Sequence, residues 1–270
     1  MPKLHPTAIV DARAALADSV EIGAYCIIKG AVSLGPGTIV HEHSHIHGQT
    51  TVGSNCRIGP AAFVGLDPQH RGYTGAPTRL VIGNENVIRE GASIHRSFKS
   101  DEAHATVLGD RNYLMGQSHV GHDCILGNDI TIANGALLGG HVTVGDKCFI
   151  GGGAVVHQFV RIGRLAVMSG NDRTARDIPP FAAARELSLK GFNIVGCRRS
   201  EIPSATIKAI RAAYHCIHTN RNLSIAVQKI KETVPQVPEV LELIEFIATT
   251  HRGIQPSIHF ARDVHLNDEE

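Results

Sequence analysis

The sequence predicts a mainly β fold: a parallel β-helix of hexapeptide repeats, followed by a C-terminal α-helical domain. Three observations carry this. An aliphatic residue recurs at every sixth position, from Val10, Leu16, Ile22 and Ile28 to Val64, at Ile82, Ile88 and Ile94, and unbroken from Leu108 to Met168. Glycine follows it at many steps, among them Gly23, Gly53, Gly121, Gly139 and Gly151. The residue two places before it tends to be small, as at Ser44, Ala62, Ala92, Ser118, Ala136 and Ala154. A period of six fits neither the 3.6-residue turn of a helix nor the two-residue alternation of an ordinary strand. Repeats of this kind stack coil on coil.

Each hexapeptide supplies a short strand and a turn, and three close one triangular coil. Residues 18 apart in the sequence then share a face and lie about 4.8 Å apart. The aliphatic residue points into the prism. The glycine after it suits a corner that needs an unusual backbone angle or close packing. Cys26, Cys56, Cys124 and Cys148 fall at the small position and read as apolar core fillers. The sequence has no CxxC pair, no signal-peptide pattern at Met1–Thr7 and no apolar run of membrane-spanning length. A reduced, cytoplasmic compartment and no integral membrane segment are expected.

The formal net charge is +1, which offers no basic field for nucleic acid. Trp is absent and aromatics are 4%, in keeping with a core of Val, Ile and Leu. The period breaks twice: Val64 to Ile82 spans 18 positions and Ile94 to Leu108 spans 14. The first break implies an inserted loop over 66–79, the second a bulge around 98–105; loops ejected from a solenoid often line its binding surface. The β-helix is expected over 1–185, stopped by Asp177-Ile178-Pro179-Pro180. A helical domain is expected over 186–254. Ser204 reads as the cap of a helix with an apolar stripe at Ile207, Ile210, Ala213/Tyr214 and Ile217. Two more helices are expected over 224–234 and 238–250, the last opening with a proline. Residues 255–270 read as a polar, poorly ordered tail.

The chain holds 17 histidines, and the phase of the repeat sorts them. Val120, Leu138 and Val156 share one face of successive coils. Beside them stand His119 and His122, then Gly139-Gly140-His141, then His157-Gln158. A histidine titrating near neutrality suits a general base, and a backbone N–H of the Gly139-Gly140 turn could stabilise an oxyanion. The run His41-Glu42-His43-Ser44-His45-Ile46-His47 has the composition of a metal tract. Its histidines fall at different positions around the corner, however, and the functional cluster lacks three converging ligands with an acid. Neither a metal nor another cofactor is expected.

His119-Val120-Gly121-His122-Asp123-Cys124, Gly139-Gly140-His141-Val142 and Ala154-Val155-Val156-His157-Gln158-Phe159 resemble the signature of the UDP-N-acetylglucosamine acyltransferases of lipid A synthesis. Tyr73 to Arg79, Ile88-Arg89-Glu90, Ile94-His95-Arg96, Asp177 to Pro180 and Asn193 with Arg198-Arg199 match the same family in order over nearly the whole chain. The resemblance implies left-handed winding, a homotrimer with the active site between two subunits, and an acyl carrier protein as acyl donor. The implied reaction moves a 3-hydroxyacyl group to the 3-hydroxyl of UDP-N-acetylglucosamine, the first step of lipid A synthesis. His122 then matches the general base and Gly140 the oxyanion donor. His119, His141, His157, Gln158 and Gln69 match substrate-positioning residues. Asn193, Arg198 and Arg199 match positions at the helical end, where the arginines meet the nucleotide or the carrier protein. Gly170 matches the position that sets acyl length. Asp123 could bias His122, but neighbours on a strand point apart, so it is placed one step behind the site.

The sequence departs from the family in the inserted loop. His70 stands where an Asp is common and Gly72 where a Lys is common, and Val195 replaces a usual Glu. His70 keeps a hydrogen-bonding group for the sugar, while Arg71 could replace the lost cation. These departures leave open a related acceptor, such as a 3-amino sugar nucleotide. They also leave open a non-catalytic trimeric β-helix that binds or scaffolds.

Overall fold

The computed structural model describes residues 1–101 and 104–257; residues 258–270 of the expected tail lie outside the described residues. The chain winds as a left-handed parallel β-helix. Among the described residues its strands form three sheets of 11, 9 and 8 strands, each strand pairing in parallel with its counterpart one coil away except in a closing antiparallel hairpin. Ile9 pairs with Ile27, Ala15 with Ser33 and Glu21 with Ile39, so the stagger is the 18 residues of one coil. The repeating aliphatic residues from Ile22 onward fill the prism, and Val40, Ile58, Ile88, Leu114, Ile132 and Ile150 are wholly buried. The small position also points inward: Ala62, Ala92, Ala136 and Ala154 are buried, as are the four cysteines of the repeat.

At most steps the glycine that follows the aliphatic residue is there for close packing, and only Gly59 and Gly65 among these take the left-handed backbone angle. A Cβ on Gly121 would lie 2.8 Å from the Gly140 nitrogen one coil above, closer than any side chain can sit. The left-handed backbone angle falls two residues later and mostly on other residue types: φ is +59° at Asp123, +61° at His141 and +65° at Phe159.

Both insertions leave the prism at one corner. The first connects strand Phe63–Leu66 of the nine-stranded sheet to Arg79–Ile82 of the eight-stranded sheet; the second connects Ser93–His95 to Thr106–Leu108 one coil later. After each the register resumes, Val52 pairing with Ile82 and Ile94 with Val120. No coil is lost, and the two loops stand directly below the corner that carries His122.

The expected boundary at 185/186 falls in the turn of an antiparallel hairpin, Ala182–Arg185 with Ser188–Phe192. Four helices follow: α1 (Ile194–Arg199), α2 (Ser204–Thr219), α3 (Leu223–Thr233) and α4 (Pro238–Ala248). The sequence reading missed α1, whose six residues are too few to show a period. It also misplaced a cap. Ser204 is the first residue of α2, whose N-cap is Pro203 with no side-chain hydrogen bond. The stripe Ile207, Ile210, Ala213, Tyr214 and Ile217 is buried as expected, and α4 opens with its proline at the first turn.

The helices lie against the last coils and share one apolar core with them. The buried Tyr214 hydroxyl donates to the Pro180 carbonyl at 2.6 Å. Arg161 donates to Asp177 and to the Phe246 carbonyl at the end of α4. The start of the expected tail is corrected. Gln255 and Ser257 are buried, and Ile254 and Ser257 bridge to Asp177 and Leu189. The hairpin leaves backbone groups that require partners, and this segment supplies them.

No helix among the described residues is long and apolar enough to cross a membrane. Ile132→Ala, which empties a fully buried rung, is expected to lower stability by about 2–5 kcal/mol. Glu21→Gln, on an outward position of the same kind of strand, should stay within about 0.5 kcal/mol. Denaturant unfolding of the two variants checks the inward and outward assignments.

Candidate active site

The nine-stranded sheet sets His119, Leu137 and Val155 in register on three successive coils. Beside this column lies a cavity of about 360 Å³ lined by Gln69, His95, His119, Gly121, His122, Leu137, Leu138, Gly139, Gly140, Val155, Val156, His157 and Gln158. Six of the residues singled out in the sequence therefore meet in one place: Gln69, His119, His122, Gly140, His157 and Gln158. Two more adjoin them. The His141 ring meets His122 edge-on with centroids 5.1 Å apart, and the His70 ring does the same at 5.7 Å.

The expectation that His122 and Asp123 point apart is corrected. His122 Nδ1 lies 2.6 Å from Asp123 Oδ2. The rule of alternating directions applies to extended strand, whereas Asp123 sits past the strand end with φ +59°, which swings its side chain back beside its neighbour. The second insertion completes the arrangement, the Phe98 N–H donating to the same Oδ2 at 3.0 Å. Below, the Asp123 N–H donates to Thr106 Oγ1 at 2.8 Å. Burial pushes the Asp123 carboxyl up, but the hydrogen bonds from His122 and Phe98 outweigh it and hold its pKa below the usual value. A carboxylate on Nδ1 fixes the imidazole tautomer with its proton there. Nε2 is then the ring nitrogen left for chemistry.

Gly140 lies against that nitrogen. A Cβ on Gly140 would stand 2.8 Å from His122 Nε2 and Cε1. The Gly140 carbonyl accepts from the Phe159 N–H at 3.0 Å, and its own N–H has no protein acceptor among the described residues. His122 and Gly140 are thus neighbours, one contributed by each of two adjacent coils.

Three histidines around the site, His95, His119 and His141, are shifted towards the neutral form. Burial, reinforced by His95 and His122, lowers the His119 pKa from 6.5 to about 4, and His119 Nδ1 is 2.9 Å from Ser93 Oγ. Burial also lowers His95, despite its contact with the Asp67 carbonyl. His141 is lowered chiefly by burial, against the pull of Asp123. Its ring stacks on Phe159 at 4.5 Å. His157 Nδ1 faces the Gln158 carbonyl at 3.1 Å and Arg252 Nη2 at 3.3 Å.

The sequence reading denied the cluster three converging ligands with an acid, and the structure corrects that. His122, Asp123 and His141 place one ligand atom each within 4.8 Å of one another. The Asp123 oxygen facing them already accepts from His122 and Phe98, which is the geometry of a hydrogen-bonded dyad. In the 41–47 run the rings stack instead, His43 on Tyr25 and His45 on His47.

Four of the residues singled out lie elsewhere in the chain. Asn193 caps α1, accepting from the Gly196 N–H at 2.8 Å and donating to the Leu165 carbonyl at 2.8 Å. Arg198 and Arg199 are exposed in the last turn of α1. Gly170 is exposed at a different corner, stacked over Gly152. Sequence reasoning missed His95, Phe98, Phe159 and Arg252 as parts of the site. Phe159 shares the 18-residue spacing of Asp123 and His141 and was within reach of the repeat. His95 was within reach only once Ile94 is set against Val120, across the second insertion. Phe98 reaches Asp123 through its backbone N–H from an insertion outside the repeat, and Arg252 comes from 95 residues away, so neither has a sequence signal.

The His119 shift has a sign that can be measured. The unfolded histidine takes up its proton near 6.5 and the folded one only near 4. The unfolded state therefore binds more protons between those values. This contribution to stability is complete above pH 6.5 and is lost as pH falls towards 4. Urea unfolding of His119→Gln should show a shallower loss of stability over that window than the unaltered chain.

Comparison with known proteins agrees with this geometry. A family model described as UDP-N-acetylglucosamine O-acyltransferase, domain 2, matches residues 177–255, and one described as bacterial transferase hexapeptide (six repeats) matches residues 105–140. The acyl-[acyl-carrier-protein]–UDP-N-acetylglucosamine O-acyltransferase of Thermodesulfovibrio yellowstonii is 41% identical over 257 residues, covering 94% of this chain and 99% of its own. The enzyme of the same name from Syntrophobacter fumaroxidans is 40% identical, covering 93% and 99%. The solved structure of LpxA from Acinetobacter baumannii superposes with a TM-score of 0.88 at 38% identity, covering 93% of this chain and 98% of that one. With that identity sustained over nearly its whole length, the chain belongs to the acyl-[acyl-carrier-protein]–UDP-N-acetylglucosamine O-acyltransferase family.

Proposed function

We propose that this protein transfers a 3-hydroxyacyl group from acyl carrier protein to the 3-hydroxyl of UDP-N-acetylglucosamine, opening lipid A synthesis in the cytoplasm. The observation that carries the reading is the His122–Asp123 dyad at 2.6 Å with Gly140 against the free face of the imidazole. His122 Nε2 takes the proton of the sugar hydroxyl as its oxygen attacks the thioester carbonyl. Asp123 holds the Nδ1 proton and stabilises the imidazolium that forms. The Gly140 N–H receives the negative charge that develops on the carbonyl oxygen. The tetrahedral intermediate then expels the carrier thiolate, which takes the proton back from His122, leaving an ester and a free thiol.

His119, His141, His157, Gln158, Gln69 and His70 are assigned to positioning the substrates. The uncharged state of His119 and His141 suits this, because a second cation beside His122 would oppose its protonation. The exposed column of Leu137 and Val155 offers the acyl chain an apolar path, with Gly170 assigned to its length. The His70 ring lies over Gly72, where a Cβ would come within 3.2 Å of it. The two departures in the loop are therefore in contact: a side chain at 72 would require the imidazole to give way by a few tenths of an ångström.

Asn193, Arg198, Arg199 and Gly170 do not line the cavity of their own chain. We assign them to a site shared between subunits of a homotrimer. Exposed apolar side chains on the coil faces, including Leu137, Phe149 and Val155, support three-fold closure. Arg198 and Arg199 then face the nucleotide or the acidic carrier protein.

The direct test is mass spectrometry of the product formed from a panel of acyl carrier proteins with UDP-N-acetylglucosamine or its 3-amino analogue. Transfer to the hydroxyl sugar is expected. Transfer to the amine alone would move the reading to the related acceptor, and no transfer to either would favour the scaffold. His122→Ala should lower kcat by at least about 100-fold, and Asp123→Asn by about 100- to 10,000-fold, both with an unchanged melting curve. Gly140→Ala should lose at least about 100-fold in kcat, because its methyl group displaces the His122 ring.

A further inference from the structure

The inserted loop carries Gln69 and His70 onto the site, so whatever fixes the loop fixes them. Its two feet converge on one buried side chain. The Arg96 side chain is 8% exposed. Its guanidinium donates to the Gly65 carbonyl and to Asp67 Oδ1 on the outgoing foot. It also donates to Thr78 Oγ1 at 3.4 Å and to the Tyr73 hydroxyl at 3.3 Å on the returning side. The backbone around it repeats the grip. The Arg96 N–H donates to the Leu66 carbonyl at 3.1 Å, and the Ser97 N–H to the Arg79 carbonyl at 3.0 Å. His95, which lines the site cavity, holds the Asp67 carbonyl with its ring. The room for the guanidinium is made by Gly48, where any Cβ would collide with it.

We propose that Arg96 is a positioning residue for the acceptor sugar: it ties both feet of the 66–79 insertion together and thereby sets Gln69 and His70 against His122. It does not border the site cavity and touches no reacting atom; its effect passes through the loop. Only the planar fork of an arginine reaches partners on both feet at once, and a lysine carries the charge without the fork. This inference rests on the acyl-transfer reading for its kinetic consequence, while the anchoring itself is independent of it.

The test uses the full chain with Arg96→Lys, and with Asp67→Asn as a second variant whose altered side chain is largely exposed. Two readouts are taken. In kinetics, Arg96→Lys should raise KM for UDP-N-acetylglucosamine by about 10- to 100-fold, leaving KM for the acyl carrier protein near its unaltered value. Asp67→Asn should move it in the same direction by less. In limited proteolysis, trypsin cleavage after the exposed Arg71 should accelerate in both variants while the coils stay resistant. An unchanged cleavage rate in Arg96→Lys would overturn the anchoring, and equal rises in both KM values would overturn the link to the acceptor. Should Arg96→Lys not fold, Asp67→Asn decides: unaltered values in both readouts sink the inference. The unaltered chain is the control that separates the two readings. Its failure to transfer any acyl group counts against the proposed function, while the cleavage rates still decide the anchoring.

Discussion

Everything in this molecule depends on the ladder that ties each residue to the one 18 positions on. The parallel strands pair at that stagger wherever the hexapeptides run unbroken, and resume the same facing across both insertions, so that like stacks on like. Aliphatic side chains meet aliphatic ones inside the prism, glycines meet backbone at the close approaches, and corner residues stack on corner residues. A one-residue slip would turn each strand's inward set outward. The burial of the aliphatic column therefore specifies the register as well as contributing to stability. Because the frame is rigid and periodic, two loops and a column of histidines can be held in fixed relation across several coils.

The site exploits the corner of the prism. Strand residues alternate in direction and cannot put neighbouring side chains together. The left-handed corner can, and Asp123 turns back beside His122 there. The coil above brings Gly140 against the imidazole, and the coils below send up the Phe98 N–H and the Gln69 side chain. Four segments separated in sequence thus contribute to one place, His122 and Asp123 coming from the same corner. The ring sequence His70, Phe98, His122, His141 and Phe159 runs along the same edge, so His122 has aromatic neighbours on both sides. The His122–Asp123 hydrogen bond itself is largely buried, with side-chain exposures of 11% and 6%, and a hydrogen bond in such a setting is electrostatically stronger than in water.

The helical end answers a different need. A solenoid must close its last coil, since open strand edges and exposed core are liabilities. Here the antiparallel hairpin, the helices and residues 254–257 do so together, with Tyr214, Arg161 and Arg164 tying helix to coil. Arg252 lies in the same closing segment and reaches back to His157, so the cap of the fold also touches the edge of the site.

The sequence by itself determined the fold class, the inward residues, the positions of both insertions and the face on which the histidines gather. Each follows from a period, and a period is a local property that survives without coordinates. It also singled out His122 and Gly140, through a resemblance whose motif is longer than the repeat, and the structure sets the two side by side. What only the tertiary structure decided are the relations that periodicity does not encode. They include the partnership of His122 with Asp123, set by a backbone angle at a corner, and the role of a backbone N–H from Phe98. The short helix capped by Asn193 and the docking of residues 254–257 belong with them. So does the convergence of the loop's two feet on Arg96, a charged residue two places past the aliphatic Ile94. These depend on which coil lies above or below an insertion of uneven length, and distance in space across such breaks is fixed by packing rather than by spacing in the chain.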